Sequence, residues 1–310
     1  MRLDIYLKDK INSSRNQIIN LIKKGFVKVN HRVVTKPSFK ITEDDIVEYE
    51  IQQLEETKEY KVDFEVDIIY EDEEILVVNK PPHLVIHSAP SVKEATLVDW
   101  LKSKNIKLST ISGEERHGIV HRIDKETSGA LVVAKTNEAH QFLSEQLSNK
   151  SMGRYYLAII DLPLKENCEI DRAIGRNPKN RLKNSVISSG RSAKTQFLKL
   201  CNDEKEELIA CKLFTGRTHQ IRVHLASINR HIVGDELYGA KESSDRILLH
   251  AYILYLIHPK SKKLMQFKAP LFEDMENRIN KICKEEKDEK LNEEYIINRF
   301  NNFNDYRLFN

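Results

Sequence analysis

Asp124 lies in the segment His121-Arg122-Ile123-Asp124-Lys125-Glu126-Thr127-Ser128-Gly129, between the apolar, strand-like runs Gly118 to Val120 and Ala130 to Ala134. Positive charge near a carboxyl favours its ionised form, so Arg122 and Lys125 would keep this aspartate anionic and able to act as a nucleophile. Taken alone, an aspartate between two basic residues is far more often half of a surface ion pair than a catalyst, so the rest of the chain must supply the context. Tyr155 and Tyr156 follow in an extended run, where alternation sends one side chain to the core and the other to the surface, and a tyrosine ring can stack on a nucleobase. Further on, Thr218 can cap a helix in which Ile221, Leu225 and Ile228 form an apolar stripe, with Arg222 on a neighbouring face. His219 and His224 are five residues apart, a poor spacing for one helical face, and no third ligand accompanies them, so no metal site is expected. Arg172 to Lys194 holds seven Lys or Arg and no acidic residue. Such a run, including Arg176, Lys179 and Arg181, repels itself unless a polyanion compensates it, and an RNA backbone is the economical partner.

These residues need a scaffold, and the chain supplies one in two parts. Leu3, Leu7 and Ile11 recur at helical spacing, Ser14 and Gln17 offer a capping box for a second helix carrying Ile18, Leu21 and Ile22, and Gly25 can end it. Asn30-His31 then joins two short strands as a hairpin. From Met1 to Lys40 there are ten Lys or Arg against Asp4 and Asp9, and from Ile41 to Leu76 fifteen acidic residues against Lys58 and Lys61. The basic block has the footprint of a module that touches phosphates, and the acidic stretch reads as a solvated linker. Beyond it, strands are expected at Val66 to Tyr70, Ile75 to Asn79, Ala130 to Ala134 and Tyr155 to Ile160, and helices at Thr96 to Lys104 and Asn137 to Lys150, in an α+β arrangement. After Asp274 the chain is rich in Lys, Glu and Asn and reads as a frayed helical tail.

With 40% hydrophobic and 31% charged residues in 310, the composition is that of a globular protein, not a disordered or fibrous one. The N-terminus is charged where a signal peptide would be apolar, and the most apolar run, Ile247 to Ile257, is short enough for a buried strand, so a cytoplasmic protein without membrane contact is expected. Cys168, Cys201, Cys211 and Cys283 are too far apart for a metal clip and are expected as reduced, buried thiols.

The segment around Asp124 resembles the signature of the RluA-type family of pseudouridine synthases, His-Arg-x-Asp-x-x-Thr-Ser-Gly, whose aspartate is catalytic. The resemblance continues in Asn79-Lys80-Pro81-Pro82-His83-Leu84-Val85-Ile86-His87, although Ser88-Ala89-Pro90-Ser91 departs from the Pro-Gly-rich turn usual next. It extends through Arg154-Tyr155-Tyr156-Leu157-Ala158, with Arg for the family's Lys, Thr215-Gly216-Arg217-Thr218-His219-Gln220-Ile221-Arg222, Val233-Gly234-Asp235-Glu236-Leu237-Tyr238-Gly239 and Leu249-His250-Ala251. It implies Asp124 as catalytic carboxylate, Tyr156 as the active-site tyrosine, and Arg222 as the partner of Asp124, since a buried anion needs a fixed, forked cation. The N-terminal block resembles an S4 RNA-binding domain in Arg2-Leu3-Asp4, Ser14-Arg15, Lys23-Lys24-Gly25 and Val27-Lys28-Val29-Asn30.

The organisation expected is therefore an S4-like ααβ domain at 1–55, an acidic linker at 56–66, a pseudouridine synthase domain at 67–275 built on a mixed, mainly antiparallel β-sheet with flanking helices, and a charged tail at 276–310. Ser14, Arg15, Lys23, Lys24, Lys28, Arg122, Arg176, Lys179 and Arg181 are the expected RNA contacts. The reaction is redox-neutral, so no cofactor is expected. The partner would be structured RNA met by a monomer, with large-subunit (23S) ribosomal RNA, as in the RluD-like subgroup, ahead of transfer RNA. Two other readings stand beside this one: a non-catalytic S4-type RNA-binding or assembly factor, and a nucleic-acid N-glycosidase.

Overall fold

The computed structural model describes residues 1–11, 15–50, 60–89, 92–113, 116–240, 244–303 and 307–309. At the N-terminus α1 (Leu3–Lys10) and α2 (Arg15–Lys23) bury Leu3, Leu7, Ile11, Ile18 and Ile22 against Val27, Val29 and Ile41. Gly25, at φ +83°, ends α2 in a left-handed conformation that a side chain would strain. Strands β1 (Val27–Val29) and β2 (Arg32–Val33) pair antiparallel, and β3 (Val47–Tyr49) joins the other edge of β1. Asn30 and His31 both have positive φ (51° and 66°), the turn geometry whose twist matches the strands of a two-residue hairpin. The capping box expected at Ser14 lies outside the described residues.

The linker expected at 56–66 falls partly on residues outside the described ones, and the remainder is not a solvated tether. Val62, Phe64 and Val66 alternate with exposed residues and pack on the large domain, while Glu65 accepts a hydrogen bond from the Trp100 indole at 3.2 Å. The density of acidic residues masked this two-residue apolar period.

The large domain is a mixed sheet. Its strands are β4 (Asp67–Glu71), β5 (Ile75–Lys80), β6 (Ser128–Ala134), β7 (Gly153–Ile160), β8 (Cys168–Asp171), β11 (Lys194–Asn202), β12 (Glu207–Leu213), β13 (Leu249–Ile257), β14 (Leu264–Lys268) and β15 (Arg307–Phe309), with β9 (Ile174–Arg176) and β10 (Asn184–Val186) forming a separate hairpin. The order is β15-β8-β11-β12-β7-β13-β6-β5-β4, with β14 on β13; among the described residues, the pairs β13·β6 and β15·β8 are parallel and the others antiparallel. Strands β5, β6 and β7 are buried at every position, which requires cover on both faces of the sheet. One face is covered by α3 (Leu97–Ser103), which Thr96 and Asp99 start with a reciprocal capping box, and by α5 (Gln220–Ala226). The other carries α4 (Asn137–Asn149) over β5 and β6, and α6 (Glu273–Cys283) and α8 (Glu293–Asn301), with α7 (Lys287–Lys290) between them, over β7, β11 and β12.

Four expectations are corrected here. The segment after Asp274 is not a frayed tail: Met275, Ile279, Ile282 and Cys283 form a helical stripe, and with Ile296, Phe300 and Phe303 they close the second face of the sheet. Tyr155 is consequently as buried as Tyr156, both 4% exposed, because its ring meets Phe300 at 5.2 Å. Cys201 near the end of β11 and Cys283 at the end of α6 form a disulfide rather than two thiols. Their separation of 82 residues gave no sign that α6 crosses β11 with the two Cα atoms 5.1 Å apart, within bridging range. Cys168 and Cys211 are free and buried. Gly118 to Val120 makes only a single bridge, Ile119 to Val133, instead of a strand. Among the described residues no helix is long and apolar enough to cross a membrane.

Candidate active site

Asp124 stands in a turn just before β6, closed by the Thr127 amide donating to the Asp124 carbonyl at 3.1 Å. Downstream, Gly129 lets the turn enter the sheet: at φ +110°, a Cβ there would meet the carbonyl oxygen of Ala251 on β13 at 2.3 Å. The Ser128 hydroxyl accepts from Arg246 Nη1 (3.1 Å) and donates to His250 Nδ1 (2.8 Å), whose Nε2–H donates to the Ala269 carbonyl (3.2 Å). Burial holds His250 down to about 4, so it is neutral and can take both roles. Arg246 in turn forks Asp274 at the start of α6, which wires the C-terminal helices to the Asp124 segment.

From below, the turn is held by Lys80, the last residue of β5, whose side chain is fully buried. Its ammonium donates to the carbonyls of Pro81 (2.7 Å), Leu84 (2.9 Å) and Lys125 (3.0 Å). Burial pulls its pKa down to about 7, against the field of Glu126 and Asp124. Three carbonyl acceptors satisfy all three N–H groups, and one belongs to the residue beside Asp124. Lys80→Met should therefore destabilise the fold by about 3 kcal/mol, since buried acceptors left without donors each cost roughly 1–3 kcal/mol. Thermal unfolding measures this, and an unchanged midpoint would refute the anchoring role.

The partner of Asp124 is not one of its sequence neighbours. Lys125 is exposed and pairs with Glu94 at 2.8 Å, and Arg122 is exposed. Instead Arg222 Nη1 on α5 reaches Asp124 Oδ2 at 3.3 Å, its Nε and Nη2 being taken up by Asp235 at 2.7 and 2.8 Å. Arg222 and Asp235 side chains are 6% and 1% exposed and that of Asp124 20%, so a buried fork held by Asp235 presents its remaining nitrogen, Nη1, to a partly exposed carboxylate. The Tyr238 ring lies 5.0 Å from the guanidinium carbon. Tyr156 reaches the same region from β7; burial pushes its hydroxyl up, Arg154 opposing and the Asp124 charge adding to it. Arg154 itself lies 2.7 Å from Nδ1 of the buried His121.

Helix α5 is not capped by Thr218. His219 holds the N-cap position at φ +58°, and the buried Gln220 organises the approach, accepting from Thr215 Oγ1 and the Arg217 amide and donating to the Lys194 carbonyl and Thr195 Oγ1. A side chain that ties down four groups at once replaces the simple cap. His224 lies between Thr195 Oγ1 and the Arg172 carbonyl, away from His219. Among the described residues no group of three or more His, Cys, Asp or Glu is placed to hold a metal.

Residues 74–227, which contain Asp124, Tyr156 and Arg222, match the family described as RNA pseudouridylate synthase, and residues 1–47 match the S4 domain. An uncharacterized RNA pseudouridine synthase of Helicobacter pylori (strain J99) is 45% identical over 96% of this chain and 95% of its own length. The chain belongs to the RNA pseudouridylate synthase family. It is thus an isomerase acting on uridine in RNA. Ribosomal large subunit pseudouridine synthase D of Zymomonas mobilis is 39% identical over 89% of the chain and 92% of that protein. In fold, human RNA pseudouridylate synthase domain containing 1 superposes with a TM-score of 0.54 at 22% identity, covering 71% of this chain and 95% of that one.

The synthase exposes Lys23, Lys24 and Lys28 on its S4 domain; Ser14 and the Arg15 side chain lie outside the described residues. The basic run forms the β9–β10 hairpin with Arg176, Lys179 and Arg181 exposed. This hairpin docks beside the candidate site: the Asn184 amide donates to Tyr238 Oη (2.9 Å) and its side chain to the Thr218 carbonyl (3.0 Å). Sequence reasoning placed Lys80, Asp235 and Tyr238 in family motifs without giving any of them a role of its own, and weighed His219 only as a metal ligand. The signal available for Asp235 was a buried arginine with more donors than one carboxylate absorbs.

Proposed function

We propose that this synthase converts specific uridines of large-subunit ribosomal RNA to pseudouridine, with Asp124 as the catalytic carboxylate, Arg222 as its partner and Tyr156 as the ring against the target base. The observation that carries the site assignment is the 3.3 Å contact from Arg222, already anchored on Asp235, to a partly exposed Asp124. The relatives named ribosomal large subunit pseudouridine synthase D, 35–39% identical over most of the chain, support the substrate class.

Pseudouridine formation breaks the bond from uracil N1 to ribose C1′, turns the ring and rejoins it through C5. No electrons are gained or lost overall. The atoms involved are inaccessible inside a stacked helix, so the target nucleotide must be everted, at a cost of about a few kcal/mol that contacts elsewhere must offset. Exposed cations on the S4 domain and on the β9–β10 hairpin can provide those contacts by pairing with phosphates.

Mapping pseudouridine across total RNA from cells lacking this gene, complemented with wild type or Asp124→Asn, tests both parts. Large-subunit positions restored by the wild type alone are the expected result. Restoration confined to transfer RNA would overturn the substrate class, and restoration by the asparagine variant would overturn the role of Asp124.

A further inference from the structure

His219 is an odd residue to find at the start of α5. Its φ of +58° is uncommon for any residue other than glycine, and such conformations persist where the surroundings over-determine them. Here the Gln220 clamp fixes the backbone and Tyr238 fixes the ring, which it meets edge-on at 5.7 Å and 89°. The imidazole spans two groups: Nδ1 is 3.0 Å from Tyr238 Oη, and Nε2 is 3.9 Å from Asp124 Oδ2. Asp124, Asp235, Arg122 and Arg222 are the charged groups that face it.

The two neighbours of the ring favour one tautomer. Tyr238 Oη accepts the backbone N–H of Asn184 and still has its own proton to give Nδ1, whereas the Asp124 carboxylate facing Nε2 can only accept. Burial pushes Tyr238 up and His219 down, so the phenol keeps its proton and the imidazole stays neutral. With Nδ1 accepting, the ring proton must sit on Nε2, directed at a carboxylate; the opposite tautomer would set a lone pair against it. At 3.9 Å the contact with Asp124 is long, as such contacts often are before substrate arrives and the site tightens.

We propose that Tyr238 is a positioning residue that locks His219 in the Nε2–H tautomer, so that His219 presents a fixed donor to Asp124 beside the one from Arg222. This rests on the reading of Asp124 as the catalytic carboxylate. The logic is that of any orienting group behind an imidazole, which sets the tautomer the working nitrogen needs. It also gives the β9–β10 hairpin a link to the site, because the Asn184 amide donates to the same tyrosine oxygen that faces His219.

Long-range proton–nitrogen spectra of the full chain with nitrogen-labelled imidazoles report the tautomer directly, His219→Gln identifying the resonance. The wild type should show a protonated Nε2 and a bare Nδ1 at His219. Tyr238→Phe keeps the ring over Arg222 but removes the hydroxyl. It should shift His219 toward the Nδ1–H form and slow single-turnover pseudouridine formation about tenfold, with the RNA dissociation constant unchanged within twofold; removing the group that orients a metal-bound imidazole has effects of this size. A wild-type Nδ1–H tautomer overturns the proposal, as does a phenylalanine variant whose tautomer or rate is unaltered. A wild-type chain with the expected tautomer and no turnover on large-subunit RNA counts against the activity reading instead.

Discussion

Asp124→Asn is expected to bind RNA as tightly as the wild type while forming pseudouridine about 10⁴-fold more slowly, the scale of loss when the central group of a catalytic unit is removed. Asparagine matches the shape of aspartate, so the turn closed by the Thr127 amide and pinned by Lys80 stays in place. Arg222 is not orphaned either, because Asp235 still occupies two of its nitrogens. What disappears is the negative charge and one carboxylate oxygen. The measurement is release of tritium from RNA labelled at uracil C5, the position that exchanges its hydrogen for the bond to C1′, alongside a filter-binding isotherm and a thermal melt. An asparagine variant within tenfold of wild-type rate would end the assignment. The same reactions, assayed for free uracil, address the N-glycosidase alternative, which requires the base to leave the sugar for good.

How far the sequence carried this picture depended on the range of the interactions. Hairpin geometry at Asn30-His31, the place of α3 and the extent of α4 follow from neighbours within a few residues, and the structure has each where local rules put it. Legibility failed where a local signal competed with a distant one. In 62–66 the charge density concealed an alternation that only burial reveals, and after Asp274 it concealed a helical stripe. The error about Tyr155 followed from the second of these, since a tyrosine is a surface residue only if nothing covers it. The site shows the same division. Motif resemblance supplied Asp124, Tyr156 and Arg222, whereas the field attributed to Arg122 and Lys125 was a local guess. Lys125 turns outward to Glu94, and the cation that reaches the carboxylate comes from 98 residues away. Asp235 and Tyr238 were legible only as members of a family motif, because their individual roles exist only once α5 and the loop that follows it are brought against the turn before β6.

Arg222 is where stability and chemistry meet, and a pair of substitutions separates them. Arg222→Met should destabilise the fold by about 3–5 kcal/mol, because it leaves Asp235, with a side chain 1% exposed, as a buried charge without a counter-ion. It should also slow catalysis by roughly 10²–10³-fold, the usual cost of losing a preorganised donor beside a reacting charge. Adding Asp235→Asn removes the uncompensated carboxylate, so the double variant should regain more than half of the lost stability, the two residues being in direct contact and therefore non-additive. The rate should not recover, because Asp124 still lacks the third N–H of the fork. Thermal melts and single-turnover rates on the same three proteins give the comparison. If the double variant regained activity together with stability, Arg222 would be a structural tie for α5 and the clamp on Asp124 would have no part in the reaction.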